Sequence, residues 1–288
     1  MPHNGDVGAV YGVVSIRIAL VLLVLWGSPV WAESGVSLED SKRLQDPFEF
    51  SRQLDYRQFG WIDYHGADID DVAIYQVRYT HPVARGAVLP EQFIRLTTEA
   101  RKIPLFNQYG EQTGSSTGMG DTNIFDAFTL GLGENYKWGI GPSVTFPTNQ
   151  NHGRKKYDND NWLGGVAGIG MVRFSTRDQF TVIFNWQRDV AGNDVSYNQL
   201  NLQPAVTYNF DRGWFFLSSG IWQFDFEHGT YYIPIALGFG RAIRVGDRLM
   251  YGFIEPQWVV DADDRDKDGN FVPQPRFLVR LGLTLRID

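Results

Sequence analysis

The sequence predicts an all-β protein: an antiparallel transmembrane β-barrel of about 12 strands, with about 10 or 14 strands as alternative counts. Three observations indicate this fold. Apolar and polar side chains alternate over long segments, short turns alternate with longer polar loops, and an apolar N-terminal segment has the features of an export signal.

Residues 1–32 are interpreted as a cleaved signal peptide. Arg17 precedes the apolar run 18–26, and Val30-Trp31-Ala32 offers a cleavage site. The run is shorter than the roughly 20 residues that a spanning helix needs. An uncleaved N-terminal anchor is the alternative. We expect residues 33–53 to be a periplasmic lead-in, with a short plug helix as the alternative, and residues 54–288 to form the barrel.

Alternation of period two identifies the faces of the strands. In 180–187 and in the closing segment 276–287, apolar residues occupy every second position and polar residues occupy most of the positions between them. Eight apolar residues are therefore predicted to face lipid: Phe180, Val182, Phe184, Trp186, Phe277, Val279, Leu281 and Leu283. A soluble barrel or sandwich would turn this face inward. Segments of about ten residues favour the membrane barrel, because soluble strands average about 5–6.

The connections predict the topology. Short turns at 133–135, 175–178, 211–213 and 246–247 alternate with polar loops at 107–118, 148–161, 189–196, 227–230 and 261–274. This order places the short turns in the periplasm and the loops outside. Clear strands are expected to start near Val72, Phe93, Asp121, Tyr136, Leu163, Gln179, Asn198, Trp214, Tyr232, Leu249 and Arg276. Segment 54–65 is the candidate for the further strand that an even count requires.

Charged residues collect opposite the apolar stripes. They are predicted to line the lumen as a constriction, because a charge that faces hydrocarbon is costly. The set comprises Arg95, Glu99, Arg101, Asp225, Glu255, Arg276 and Arg280. The alternative is that these residues form salt bridges that only brace the wall.

Several functional classes find little support in the composition. The chain has no cysteine, which excludes disulfides and thiolate sites, and its net charge of −7 argues against nucleic-acid binding. No His-x-Ser pair suggests a hydrolase, so we expect no enzyme. No cofactor is expected either, except that Asp264, Asp266 and Asp268 resemble the start of a calcium loop. Pro275 stands at the position of its bidentate glutamate, and an ordinary acidic turn is the alternative.

Several short motifs resemble those of a known family. They are Gly118-Met119-Gly120-Asp121 with 124–128, 138–142 with Phe146-Pro147-Thr148, Leu202-Gln203-Pro204, Tyr208-Asn209, Gly213-Trp214, Ile233-Pro234 and 238–240. The region 118–287 is similar to outer-membrane proteins of the MetA-pathway of phenol degradation family. The segment 164–167 and the non-aromatic C-terminus, Arg286-Ile287-Asp288, depart from that pattern. The resemblance implies an outer-membrane channel associated with aromatic compounds.

The sequence therefore predicts an outer-membrane channel for passive uptake or binding of small solutes. The aromatic or hydrophobic character of those solutes is implied by the resemblance alone. A non-transporting scaffold or surface-interaction barrel is the alternative, and an outer-membrane hydrolase is a third. Expected partners are outer-membrane lipids, small-molecule solutes and, during biogenesis, the barrel-assembly machinery.

Overall fold

A computed structural model describes residues 36–69, 72–107, 109, 111–152, 155–192 and 194–287. The predicted signal peptide lies outside these residues. Among them, no helix has the length and apolar character needed to cross a membrane.

A short helix, α1 (Leu38–Gln45), precedes a series of antiparallel β segments. These are β1 (Gln53–His65), β2 (Val72–Val83), β3 (Gln92–Phe106), β4 (Gln112–Leu132), β5 (Tyr136–Phe146), β6 (Trp162–Arg173), β7 (Asp178–Ala191), β8 (Asn198–Asn209), β9 (Trp214–Ser218), β10 (Trp222–Asp225), β11 (Thr230–Ala236), β12 (Gly238–Val245), β13 (Arg248–Asp263) and β14 (Gln274–Arg286). A 3₁₀ turn, Asp211–Gly213, separates β8 from β9.

The 14 segments described form 12 barrel strands. Both β9 and β10 pair with β8, and both β11 and β12 pair with β13, so each of these two couples is one interrupted strand. The first strand pairs with the last, from Gln53 opposite Arg286 to His65 opposite Gln274, which closes the sheet. Closure leaves no unpaired edge exposed to lipid. The predicted fold class and the candidate first strand at 54–65 are confirmed.

One predicted boundary is wrong. The sequence places a loop at 107–118 and a strand start at Asp121, but β4 begins at Gln112. Its small polar residues pair with the end of β3, for example Ser116 with Ile103 and Gly118 with Arg101. Ladder hydrogen bonds use only the backbone, so a segment rich in glycine, serine and threonine extends the hairpin although its side chains show no apolar alternation.

The two faces of the wall differ in polarity. Val77, Trp138, Val206, Phe239 and Trp258 are large apolar residues that remain exposed. In a soluble protein, such a continuous apolar surface would be unfavourable, whereas in a barrel it is the band that contacts lipid. Alternate positions point into the bore, where polar and charged side chains predominate.

The segment 36–52 folds into the short-turn end of the bore. Ser37 caps α1 by accepting from the Asp40 backbone N–H at 3.0 Å. Beyond the helix, the buried Asp46 carboxylate binds Lys137 at 2.6 Å and Arg173 at 2.7 Å. Phe48 packs inside the barrel in an apolar cluster with Phe93, Phe125, Ala127, Ala167, Ile169 and Met171. The stretch expected as a lead-in therefore occupies the bore at this end.

Candidate functional site

A central cavity of about 460 Å³ lies inside the barrel. Its lining is rich in side-chain amides, which come from inward positions of six strands. They are Gln76, Asn123, Asn185, Gln187, Gln199, Asn201, Gln203, Gln223 and Gln257. Each amide offers both a donor and an acceptor, so the lining can hydrogen-bond to many polar groups without selecting one charge.

Charged residues gather at the loop end of this cavity. Arg101 donates to Glu99 Oε1 at 2.6 Å and lies 3.0 Å from Asp158 Oδ2. Gln76 donates to the second oxygen of Glu99 at 2.9 Å. We call Glu99, Arg101, Asp121 and Asp158 the mouth cluster, because all four line the cavity where the loops meet it. It contains three carboxylates and one guanidinium group.

The 147–161 loop completes the mouth cluster by folding against the inside of β4. Tyr157 is buried, and its hydroxyl lies 2.8 Å from Ser116 Oγ. A Cβ atom at Gly118 would lie 2.5 Å from the Tyr157 ring, so this contact requires glycine. Asp158 accepts from the backbone N–H of Asp121 at 3.1 Å. The loop therefore narrows the cavity from the side.

The electrostatic environment of this loop shifts two carboxyl groups in opposite directions. Burial raises the pKa of the Asp158 carboxyl, although the Arg101 guanidinium opposes the shift. The Asp194 carboxyl accepts hydrogen bonds from Lys156 and from the backbone N–H groups of Asp160 and Val195, which together lower its pKa to about 2. Asp194 thus links the 147–161 loop to the neighbouring 192–197 loop.

A second charged group is buried in the wall. Glu255, which is 0 % exposed, accepts from Arg280 at 2.7 Å, from Gln257 at 2.9 Å and from the backbone and hydroxyl of Ser219 at 2.8 Å. We call these four residues the wall cluster. Its carboxylate is fully hydrogen-bonded and its ion pair is nearly inaccessible, since Arg280 is 5 % exposed.

Three further arginines lie beside the wall cluster. Arg57 binds the buried Asp55 at 3.2 Å and also donates to Tyr251 and Thr284. Arg78 donates to Gln76 at 2.5 Å, and Arg95 donates to Thr80 at 3.2 Å. Arg78 and Arg95 line the cavity, whereas Arg57 and Arg280 lie behind its surface.

The structure divides the predicted constriction among different places. Arg95, Glu99 and Arg101 line the cavity, and Glu255 and Arg280 lie in the wall cluster. Arg276 lies apart from them at the loop end, where it is 64 % exposed and 3.6 Å from Asp63. Arg276 and Arg280 are four positions apart on β14, which corresponds to a rise of about 13 Å along a strand.

Asp225 also lies apart from the predicted constriction. Its carboxylate accepts from the backbone N–H groups of Glu227 and His228 at 3.0 Å and lies 2.8 Å from the His228 ring nitrogen. It therefore closes the 226–229 turn at the loop end of β10.

Sequence reasoning missed four important residues of the lumen. Arg57 and Arg78 alternate with the outward Tyr56 and Val77, so the period-two pattern of the first two strands could have identified them. The mixture of aromatic and charged residues in β1 obscured that pattern. Asp121 and Asp158 gave less signal, because the 147–161 loop has no periodicity that would show which of its residues turn inward.

The residues predicted to contact lipid occupy outward register positions on β7 and β14. Phe184 borders the cavity, but its ring lies over Gly168 on the outer side, where a Cβ atom at Gly168 would meet it at 2.3 Å. Leu281 is buried, with 5 % of its surface exposed, although it was predicted to contact lipid. The others on these faces are partly exposed: Phe180, Val182, Trp186, Phe277, Val279 and Leu283.

The acidic loop 264–273 forms a local hydrogen-bond network. Asp266 accepts from the backbone N–H groups of Asp268 at 3.0 Å and Asn270 at 2.7 Å. Within the described residues, no group of three His, Asp or Glu side chains is arranged to hold a metal. Calcium binding by Asp264, Asp266 and Asp268 stays a prediction.

One solved structure, with a TM-score above 0.5, supports the fold. No family model and no curated protein matches the chain, so the resemblance to the MetA-pathway family stays a prediction. A solved structure, the COG4313 outer membrane channel from Pseudomonas putida F1, has 12% identity and a TM-score of 0.59, covering 84% of this chain and 99% of that chain. NanC porin has 12% identity and a TM-score of 0.48, covering 81% and 100%. KdgM porin has 10% identity and a TM-score of 0.46, covering 82% and 99%.

The closed barrel and its apolar exterior place the protein in the outer membrane. Only a closed sheet satisfies all the backbone groups of membrane-spanning strands, and the exposed apolar side chains need lipid around them. The predicted fold and location are confirmed.

Proposed function

We propose that the protein is an outer-membrane channel that binds small solutes with aromatic or hydrophobic bodies in its central cavity and admits them by diffusion. The observation that carries this proposal is the cavity itself, with its lining of amides and aromatic rings. A solved protein of the same fold is described as an outer membrane channel, which supports the same role here.

The size and chemistry of the cavity suit this class of solute. Its volume of about 460 Å³ lies in the range of about 300–1,000 Å³ that is common for small-molecule sites. Phe59, Trp61, Phe125 and Ile183 supply apolar surface, and the amides supply hydrogen bonds. A solute with a flat apolar body and one or two polar groups can satisfy both parts of this lining.

Passage through the barrel requires movement at its short-turn end. There Phe48 fills the bore, held by the salt bridges of Asp46 with Lys137 and Arg173. These contacts are non-covalent, so displacement of 46–52 opens the route without breaking the barrel. We found no nucleotide-binding motif in the sequence that would couple transport to energy, which favours diffusion.

The two other functional classes predict different features. A hydrolase of the serine type needs a serine activated by a histidine, whereas His228 pairs with the Asp225 carboxylate. A scaffold needs no cavity lined by both amides and aromatic rings. If the protein is a scaffold, its conductance should not depend on the solute. The cavity therefore favours the channel.

Conductance of the mature protein, refolded into planar bilayers, tests the proposal. Asn185 lines the cavity and Phe184 points to the outside, so Asn185→Trp and Phe184→Trp form a matched pair of neighbouring substitutions. We expect aromatic solutes to reduce the conductance of the wild type. Asn185→Trp should lower conductance by filling the cavity, and Phe184→Trp should leave it unchanged. No solute-dependent conductance in the wild type would contradict the proposal and favour a scaffold.

A further inference from the structure

We propose that the lumen holds a binding site for a small organic carboxylate with an apolar body, in which Arg78 and Arg95 bind the carboxylate. This inference rests on the proposed channel function and names its class of solute. Its basis is an imbalance between the arginines and carboxylates of the inner wall.

Four arginines form a continuous row across adjacent strands. Arg95 on β3 is opposite Thr80, two residues from Arg78 on β2. Arg78 is opposite Asp55, two residues from Arg57 on β1, and Arg57 is opposite Gly282, two residues from Arg280 on β14. Diagonal neighbours of this kind lie within reach of long side chains. The positive charges of the row therefore act on one another.

Among the described residues, the carboxylates beside this arginine row form ion pairs with only one half of it. Asp55 pairs with Arg57, and Glu255 pairs with Arg280. Within the described residues, no carboxylate lies within ion-pair distance of Arg78 or Arg95, whose hydrogen-bond partners are the neutral Gln76 and Thr80. The buried Nε of Arg78 also lacks a hydrogen-bond partner. Two guanidinium groups with unused donors thus face the cavity.

An anion in the cavity would supply the counter-charge that Arg78 and Arg95 lack among the described residues. A guanidinium group presents its donors in a planar fork that matches the two oxygens of a carboxylate. Partly buried cations without counter-charges are unfavourable, and a bound carboxylate would supply the missing charge. The mouth cluster has the opposite charge, so the row is where an anion is favoured.

The residues beside Arg78 and Arg95 favour an apolar body on this anion. The Arg95 guanidinium lies 5.4 Å from the centre of the Phe125 ring. Phe59 and Trp61 stack with centroids 6.2 Å apart on the neighbouring strand, and both line the cavity. A ring carried by the carboxylate can pack against these aromatic faces. A fully hydrated anion such as inorganic phosphate cannot use them.

Binding to the refolded protein in detergent tests this inference independently of whether the bore is open. The probes are benzoate, its neutral isostere benzamide, and inorganic phosphate, each measured by calorimetry against empty micelles. Loss of a charged hydrogen bond costs enough to weaken binding about tenfold or more. We expect Arg78→Gln and Arg95→Gln each to weaken benzoate binding by about this factor, with benzamide binding unchanged.

Matched controls separate the site from general charge effects. Arg276→Gln removes the same charge at the exposed rim and should leave benzoate binding as in the wild type. If Arg78→Gln folds poorly, Arg78→Lys replaces it in the test. The lysine keeps the positive charge and should retain part of the affinity for benzoate. Equal binding of benzoate by the wild type and both Gln variants would overturn the inference. So would benzamide or phosphate binding as tightly as benzoate.

The two proposals can fail separately. If neutral aromatic solutes still reduce the conductance but benzoate shows no preference, the carboxylate site is wrong and the channel stands. If benzoate binds but no solute alters the conductance, the site exists and the channel proposal is wrong.

Discussion

Removal of the Arg280 side chain should destabilise the barrel without changing its ion preference. Arg280 is the only cationic partner of Glu255 among the described residues, and Glu255 is 0 % exposed. In Arg280→Ala, the carboxylate keeps Ser219 and Gln257 as donors but loses its counter-charge. Breaking a buried ion pair in this way costs about 3–5 kcal/mol. The guanidinium also lies over the Phe253 ring at 5.1 Å, so its loss removes packing as well.

Urea unfolding in phospholipid vesicles, followed by tryptophan fluorescence, measures this loss. Arg276→Ala is the matched control, because the exposed pair of Arg276 with Asp63 should contribute only about 0–1 kcal/mol. A double variant, Glu255→Gln with Arg280→Gln, leaves no uncompensated charge and should be less destabilised than Arg280→Ala.

Reversal potentials in a salt gradient provide the second measurement. Arg280 lies behind the cavity surface, so its removal should leave the ion preference of the pore unchanged. A stability loss below about 1 kcal/mol, together with an altered ion preference, would show that Arg280 contacts the permeating ions and that our assignment of a bracing role is wrong.

Three further predictions follow from the faces, the topology and the loop contacts. Because the chain has no cysteine, cysteines placed at positions 184 and 185 can be labelled selectively. A polar thiol reagent should reach the cysteine that replaces Asn185 and not the one that replaces Phe184. The reverse result would show that the two faces of β7 are assigned the wrong way round. An epitope inserted after the exposed Asp268 should be detected on intact cells, whereas detection only after lysis would refute the outward placement of the loops. The Asp194 carboxyl should titrate near pH 2, as measured by carbon NMR. Because its pKa is lower in the folded than in the unfolded protein, its contribution to stability is present above about pH 4 and is lost as the pH falls towards 2. Lys156→Met should raise that pKa, and an unchanged value would show that Lys156 does not cause the shift.

The sequence alone predicted the barrel and most of its strands. Alternation of period two is a property of the chain itself, because successive side chains of any strand point to opposite faces. It therefore identified strand β7 and the polarity of its two faces. Even parity identified segment 54–65 as the first strand, although its aromatic and charged residues do not alternate cleanly. The hairpin of β3 and β4 extended further than predicted, because backbone pairing leaves no mark in a run of small polar residues.

The tertiary structure decided which charges meet. Sequence reasoning could place Arg280 and Glu255 on inward faces, but only the register of β13 against β14 sets them opposite each other. Arg276 lies apart from this pair because it is four positions from Arg280 along the same strand, β14. Closure of the barrel brings β1 beside β14, which joins Arg57 to Arg280 across most of the length of the chain. Periodicity gives the face of a residue, whereas its neighbours depend on hydrogen-bond registers between strands that are distant in sequence. The charge balance of the lumen depends on those registers.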